Sequence, residues 1–141
     1  MKLTPTTKRK AGMTLLELTV VILVLLSLIS ILFIGARAWK KGSDRAASIL
    51  QIRNVQQAVR SHSNMYGKNP GDTDANLRTS IFGADKFIKT DPAAEGAKHP
   101  GGGDLAYSIA APTTIPAIGT LYMTVTGTGN ADYMPTDIGD W

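Results

Sequence analysis

The run LTVVILVLLSLISILFIGA, residues Leu18–Ala36, decides the fold because it holds nineteen residues without a single charge. Its polar side chains are three hydroxyls, those of Thr19, Ser27 and Ser30. At about 1.5 Å of rise per residue it makes roughly 28 Å of helix, close to the ~30 Å hydrocarbon thickness of a bilayer. This length predicts a membrane-spanning helix.

A secretory signal peptide is the alternative for this end of the chain. The basic cluster Lys8–Lys10 would serve as its positively charged start. A secretory apolar region is usually about 7–15 residues long, however, and no small-x-small cleavage site is evident after the run. The length and the missing processing pattern predict that the helix is retained.

The residues after the apolar run suit a membrane interface. Arg37, Trp39, Lys40 and Lys41 combine an indole with long basic side chains, which sit at headgroup level in membrane proteins. This cluster could also touch nucleic acid, but the adjoining span favours lipid headgroups. Basic residues stand on both sides of the span, so the positive-inside rule does not decide its orientation.

Composition excludes several other classes. The 141 residues suit one domain, and their net charge of +4 comes from 15 Lys+Arg against 11 Asp+Glu. Four of those cations lie in the first ten residues, so the rest of the chain is balanced and gives no argument for nucleic-acid binding. Without cysteine there is no disulfide, thiolate metal site or Cys nucleophile.

An acidic residue stands where the apolar segment begins. Glu17 follows Leu15 and Leu16 and directly precedes the run, and a carboxylate at a hydrocarbon boundary is costly unless it is paired. The spacing Thr14-x-x-Glu17 also fits a capping box, in which Thr14 and Glu17 bond to each other's backbone amides. Both roles are compatible, because a capping bond uses only part of a carboxylate's acceptor capacity.

The segment Lys10-Ala11-Gly12-Met13-Thr14-Leu15-Leu16-Glu17-Leu18, followed by the apolar run, resembles the start of type IV prepilins and type II secretion pseudopilins. The resemblance implies that a prepilin peptidase cuts after Gly12 and that Met13 is then N-methylated. It implies that Glu17 is the assembly residue. Cleavage would create an α-amino cation at Met13, which Glu17 of a neighbouring copy can neutralise in low dielectric.

Helical spacing continues after the apolar run. Over residues 37–66 one stripe is apolar, which predicts an amphipathic helix with a weak point at Gly42-Ser43-Asp44 that bends it without breaking it. Gly67 is expected to end this helix in the left-handed conformation. The stripe consists of Ile49, Ile52, Val55, Val59 and Tyr66.

Residues 67–141 contain eleven of the fourteen glycines and six of the seven prolines, so they are expected to form short elements and turns. Two alternating runs, Leu105-x-Tyr107-x-Ile109 and Leu121-x-Met123-x-Val125, predict strands that pair antiparallel. A region of this size has a marginal core, so the sheet is expected to pack on the helical stripe. Residues 81–89 form a further short element whose type the pattern does not assign.

These patterns predict an α+β, pilin-like fold in which a long N-terminal helix packs on a small antiparallel sheet. The expected divisions are a leader at 1–12, an assembly helix at 13–36, an amphipathic helix at 37–66 and a small globular region at 67–141.

Other candidate sites are weak. Gly101-Gly102-Gly103 lacks the ending of a phosphate loop, and His62 and His99 lie outside any zinc spacing, so structural roles are favoured for all of them. No cofactor is expected. The acidic C-terminal stretch is a minor calcium candidate without EF-hand spacing. Its carboxylates are Asp132, Asp137 and Asp140.

The sequence therefore predicts a structural subunit of a type II secretion pseudopilus or a type IV pilus-like filament, and not an enzyme. The resemblance implies as partners the prepilin peptidase, other copies and related pilins, membrane lipid, and an inner-membrane platform with its ATPase; nucleic acid is not expected. It implies a single-pass protein of the bacterial inner membrane whose C-terminal region is periplasmic, or extracellular in a filament. The alternatives are a monomeric, membrane-anchored periplasmic binding module and a minor pilin in adhesion or DNA uptake.

Overall fold

The structure, a computed structural model, describes Gly12 and residues 14–141. Helix α1 runs over Leu15–Tyr66 and a short α2 over Leu77–Ile81; strands β1, Ala106–Ser108, and β2, Thr124–Thr126, precede a 3-10 turn at Asn130–Tyr133. A long N-terminal helix with a two-stranded antiparallel sheet confirms the α+β class.

The chain divides into two compact units, Met1–Trp39 and Lys40–Trp141, which we describe separately. In the first unit Gly12 is exposed and lies outside the helix. Residues 1–11 of the predicted leader, and Met13 after it, lie outside the described residues.

Residues 40–66 of α1 form one wall of the core of the second unit. Helical backbone continues through residues 42–44, so the weak point expected there does not break the helix. Ile52, Val55 and Val59 are buried as the stripe predicts, and Ile49 is half-buried. The prediction for Tyr66 was wrong, because its side chain is 62% exposed in the last turn, where the core has ended.

Four polar residues are buried on the same helical face, among the apolar ones. They lie at helical spacing with the stripe, so the core-facing side of α1 is broader and more polar than an apolar pattern alone indicates. Each is hydrogen-bonded to residues that follow the helix in sequence. These residues are Ser48, Gln56, His62 and Ser63.

The two strands are shorter than predicted but pair as expected. Tyr107 lies opposite Val125 in an antiparallel register, and both side chains are buried. Leu105, Ile109 and Leu121, expected within strands, flank them and are half-buried. The core joins this sheet to α1, α2 and the loops. Its remaining buried apolar members are Ile52, Val55, Ala58, Val59, Leu77, Ile81, Phe82, Ile115, Tyr122, Met123 and Tyr133.

Helix α1 ends in a Schellman motif. Gly67 has φ of 62°, and the amide of Lys68 donates to the carbonyl of Ser63 at 2.9 Å. This arrangement confirms the predicted left-handed cap.

The region 81–89, which the pattern could not assign, contains the end of α2 and a single β-bridge between Phe82 and Ile88. It is a short loop closed on itself rather than an independent helix or strand. The amide of Gly83 donates to the carbonyl of Ile88 at 2.9 Å.

Candidate functional site

Glu17 closes a capping box at the start of α1. The backbone amide of Thr14 donates to Glu17 Oε2 at 3.0 Å, and the amide of Glu17 donates to Thr14 Oγ1 at 3.3 Å. The first helical bond follows, from the amide of Leu18 to the carbonyl of Thr14 at 3.1 Å. The capping role that the sequence left open is therefore present.

The capping bond leaves Glu17 able to accept further hydrogen bonds. Its side chain is exposed, and a carboxylate offers about four lone-pair positions on two oxygens. The positive end of the helix dipole also favours a negative charge in this first turn. Glu17 is thus an oriented carboxylate that can bind a cation without giving up its capping role.

The apolar segment that follows presents large side chains on every side. Exposed fractions of its large side chains run from 47% at Val21 to 72% at Leu32, with no buried residue in the apolar window. Among the described residues, α1 is the one helix long and apolar enough to cross a membrane. Such a surface requires an apolar environment.

Polar groups inside this segment are satisfied within the helix. The hydroxyls of Thr19, Ser27 and Ser30 each donate to a backbone carbonyl three or four residues earlier, at 2.8 Å. No hydroxyl in the run therefore needs water as a partner, which is the condition for burial in hydrocarbon or among other apolar helices.

The four predicted interface residues are all exposed. Trp39 is 80% exposed beside Arg37 and Lys40. Lys41 also forms an ion pair within the second unit, because its Nζ lies 3.3 Å from Asp132 Oδ2. The interface role predicted for these residues stays a prediction.

The calcium candidates are not brought together. Asp132 pairs with both Lys41 and Arg45, and hydrogen bonds from these cations lower the pKa of its carboxyl group. Asp137 and Asp140 are exposed. Within residues 14–141 and Gly12, no group of three or more metal-ligating side chains is assembled.

The buried pair of Ser48 and His99 has the hydrogen-bond pattern of a structural contact. His99 Nδ1 accepts from the amide of Gly101 at 3.0 Å, so Nε2 carries the proton and donates to Ser48 Oγ, also at 3.0 Å. Ser48 in turn donates to the carbonyl of Tyr133 at 2.9 Å. The ring nitrogen facing the hydroxyl cannot take its proton, and burial lowers the pKa of His99.

His62 is similarly held, with Nε2 at 3.0 Å from Asp74 Oδ2 and its ring 4.5 Å from that of Tyr66. The hydrogen bond from His62, with a backbone bond from Asn76, lowers the pKa of Asp74. This pair ties the end of α1 to the loop that follows it.

A polar groove on the second unit was missed by the sequence analysis. It has a volume of about 900 Å³ and runs beside Arg53 and Arg60 on α1, Lys68, and Trp141. The Arg53 guanidinium lies 4.9 Å from the centre of the Trp141 ring. Arg53 and Arg60 are two helical turns apart, a spacing that indicates a shared basic face.

Arg60 anchors one wall of this groove. Its guanidinium donates to backbone oxygens of Pro116, Ala117 and Trp141, at 2.9, 3.2 and 2.7 Å. Burial lowers the pKa of this side chain, but three acceptors hold the charged group in place.

Comparison of the chain with protein-family models, with curated proteins and with solved structures found no match to any of them.

Proposed function

We propose that this chain is a structural subunit of a type II secretion pseudopilus or a type IV pilus-like filament. A prepilin peptidase cuts it between Gly12 and Met13, Met13 is N-methylated, and copies assemble through the apolar part of α1. The observation that carries the proposal is an exposed, capped carboxylate, Glu17, at the head of a fully apolar helical surface.

The energetics of the apolar surface favour assembly from the membrane. Lipid covers the exposed side chains of residues 18–36 before assembly, and the same residues of other copies cover them afterwards. Because lipid and neighbouring helices are similarly apolar, moving between them costs little, and polar contacts decide the direction. Glu17 supplies that polar contact.

The proposed partner of Glu17 is the α-amino group that cleavage creates at Met13 of a neighbouring copy. Two unit charges 4 Å apart attract by about 4 kcal/mol at an effective dielectric of 20, against about 1 kcal/mol in water. The pair therefore gains strength as copies exclude water from it. An unpaired charge at the same place is strongly unfavourable.

The remaining features are consistent with a single-pass inner-membrane protein. Arg37, Trp39, Lys40 and Lys41 would mark the polar boundary of the span, with the C-terminal region outside the cytoplasm. The proposed role is mechanical rather than enzymatic. An assembly platform and a cytoplasmic ATPase would supply the force.

Glu17→Gln is the decisive variant, because glutamine keeps the capping box and removes only the charge. We expect the variant to insert into membranes and to be cleaved normally, but to be absent from filaments sheared from cells. Thr14→Ala is the matched control: it weakens the cap by about 1 kcal/mol and leaves the charge, so it should still assemble. Normal filament incorporation of Glu17→Gln would refute the pairing.

Maturation has a separate test. Mass spectrometry of the membrane-bound chain from cells containing a prepilin peptidase should find a new start at N-methylated Met13. A chain that keeps residues 1–12 in those cells would exclude the filament proposal and favour the membrane-anchored binding module.

A further inference from the structure

Charge is segregated along the second unit. Residues 40–68 carry six basic residues against one acidic, and residues 69–141 carry four basic against nine acidic, so a neutral unit has a basic helix and acidic loops. Ion pairs within the unit use part of this charge, as between Arg45 and Asp132 or between Arg78 and Asp91. The rest is available to another molecule.

The unused positive charge is concentrated in the groove beside α1. Among the described residues, no Asp or Glu side chain lies within ion-pair distance of Arg53, Arg60 or Lys68. Trp141 and the anchored Arg60 make the groove a formed surface, and Asp140 is the one acidic residue in its described lining.

The unused negative charge lies on exposed loop residues. Asp85, Glu95 and Asp137 are exposed and form no ion pair with any described residue. The second unit of another copy therefore carries the carboxylates that the groove lacks. Because that unit is electrically neutral overall, its approach meets no net repulsion.

We propose that the groove formed by Arg53, Arg60, Lys68 and Trp141 binds exposed carboxylates from the acidic loops of a second copy of this chain. Arg53 and Lys68 make the new contacts, since Arg60 is already held by three backbone oxygens. The inference rests on the proposed function, because a filament is what brings second units of different copies together.

Zero-length carbodiimide coupling tests this contact in the full chain, because it joins an amine to a carboxylate already touching it. Coupling is done in membranes from filament-producing cells, and the dimer is isolated and mapped by mass spectrometry. We expect Lys68 to be joined to a carboxylate within residues 69–141 of another copy. Arg53→Lys, which offers a reactive amine at that position, should add a second joined pair.

Charge-reversal variants test the contact through the amount of cross-linked dimer that forms. Arg53→Glu, which keeps the reactive amine of Lys68, should give at least about tenfold less dimer, since like charges then face each other at the groove. Lys86→Glu makes the same change in net charge on an exposed loop residue outside the groove, and should lose less than about twofold. Dimer that is unchanged by the groove variant, or joined pairs that never include positions 53 and 68, would overturn the proposal.

The two proposals fail differently. If filaments form and require Glu17, but no joined pair involves the groove, the groove contact is wrong and the filament function stands. If groove-joined dimers form equally in the parent chain and in Glu17→Gln, and the leader stays uncut, the groove contact stands and the filament function falls.

Discussion

Gln56 and Gln57 are neighbours of the same type on α1, and the same substitution should destabilise the fold strongly at Gln56 and hardly at all at Gln57. Gln56 is 3% exposed; its Nε2 donates to the carbonyl of Thr120 at 3.0 Å and its Oε1 accepts from the amide of Tyr122 at 2.9 Å. Gln57 is exposed. Replacing each with leucine separates the loss of these two bonds from any general effect on the helix.

The magnitude for Gln56→Leu follows from those bonds. The buried amide of Tyr122 loses its acceptor, which costs about 1–3 kcal/mol, and the bond to Thr120 contributes about 1 kcal/mol more. Leucine has nearly the volume of glutamine, so no cavity adds to this loss. We expect the free energy of unfolding to fall by about 3 kcal/mol for Gln56→Leu and by less than about 0.5 kcal/mol for Gln57→Leu.

Fluorescence of Trp141 can report this unfolding. Trp141 packs on the core, and a Trp39→Phe background removes the other tryptophan. For a unit of this size about 3 kcal/mol should lower the melting temperature of the full chain in detergent by roughly 12–24 °C. Equal shifts for the two variants, or a Gln56→Leu shift within error of the parent, would refute the role assigned to the two hydrogen bonds of Gln56.

Gln56→Glu adds a check on the direction of the bonds. A buried carboxylate cannot donate to the carbonyl of Thr120, whereas the protonated acid can. Burial raises the pKa of such a group in the folded chain, so the variant should be most stable below the unfolded pKa of about 4.3 and lose stability as pH rises through the folded pKa.

Two further predictions use the same fluorescence assay. Gly67→Ala should lower the free energy of unfolding by about 1 kcal/mol, because a φ of 62° strains any residue with a side chain even though the space around it is open. Gly139→Ala, where φ is not positive, should change that free energy little. Burial lowers the pKa of His99, so folded chain binds fewer protons there than unfolded chain, and stability should fall as pH drops through about 6.5. His99→Gln should flatten that pH dependence; an unchanged slope would contradict the assignment.

Features set by local chemistry were predictable from the sequence. The capping spacing of Thr14 and Glu17, the glycine at position 67 and the alternation around Tyr107 and Val125 each act within a few residues. Each of these local patterns is typical of one backbone conformation. The structure confirms the cap at both ends of α1 and the antiparallel pair of strands.

Features set by distant contacts were not predictable in the same way. Gln56 is hydrogen-bonded to Tyr122, which lies 66 residues further along the chain, and Arg60 to Trp141, which lies 81 residues further. Polar residues on a buried stripe look like solvent-facing ones until the loop that satisfies them is known. The groove beside Arg53 was missed for that reason, as was the burial of Ser48.

The capping box bears directly on how cleavage would control assembly. The Thr14 amide that Glu17 caps lies beyond the proposed cleavage point, so the helix start is the same before and after Gly12 is removed. Cleavage therefore changes charge and leaves the cap unchanged. A copy with Glu17→Gln would bury an uncompensated α-amino cation among apolar helices, at a cost of about 3–5 kcal/mol. Since about 1.4 kcal/mol is tenfold, this predicts a loss of roughly 100-fold to 4,000-fold in assembly, large enough to separate pairing from capping by filament yield alone.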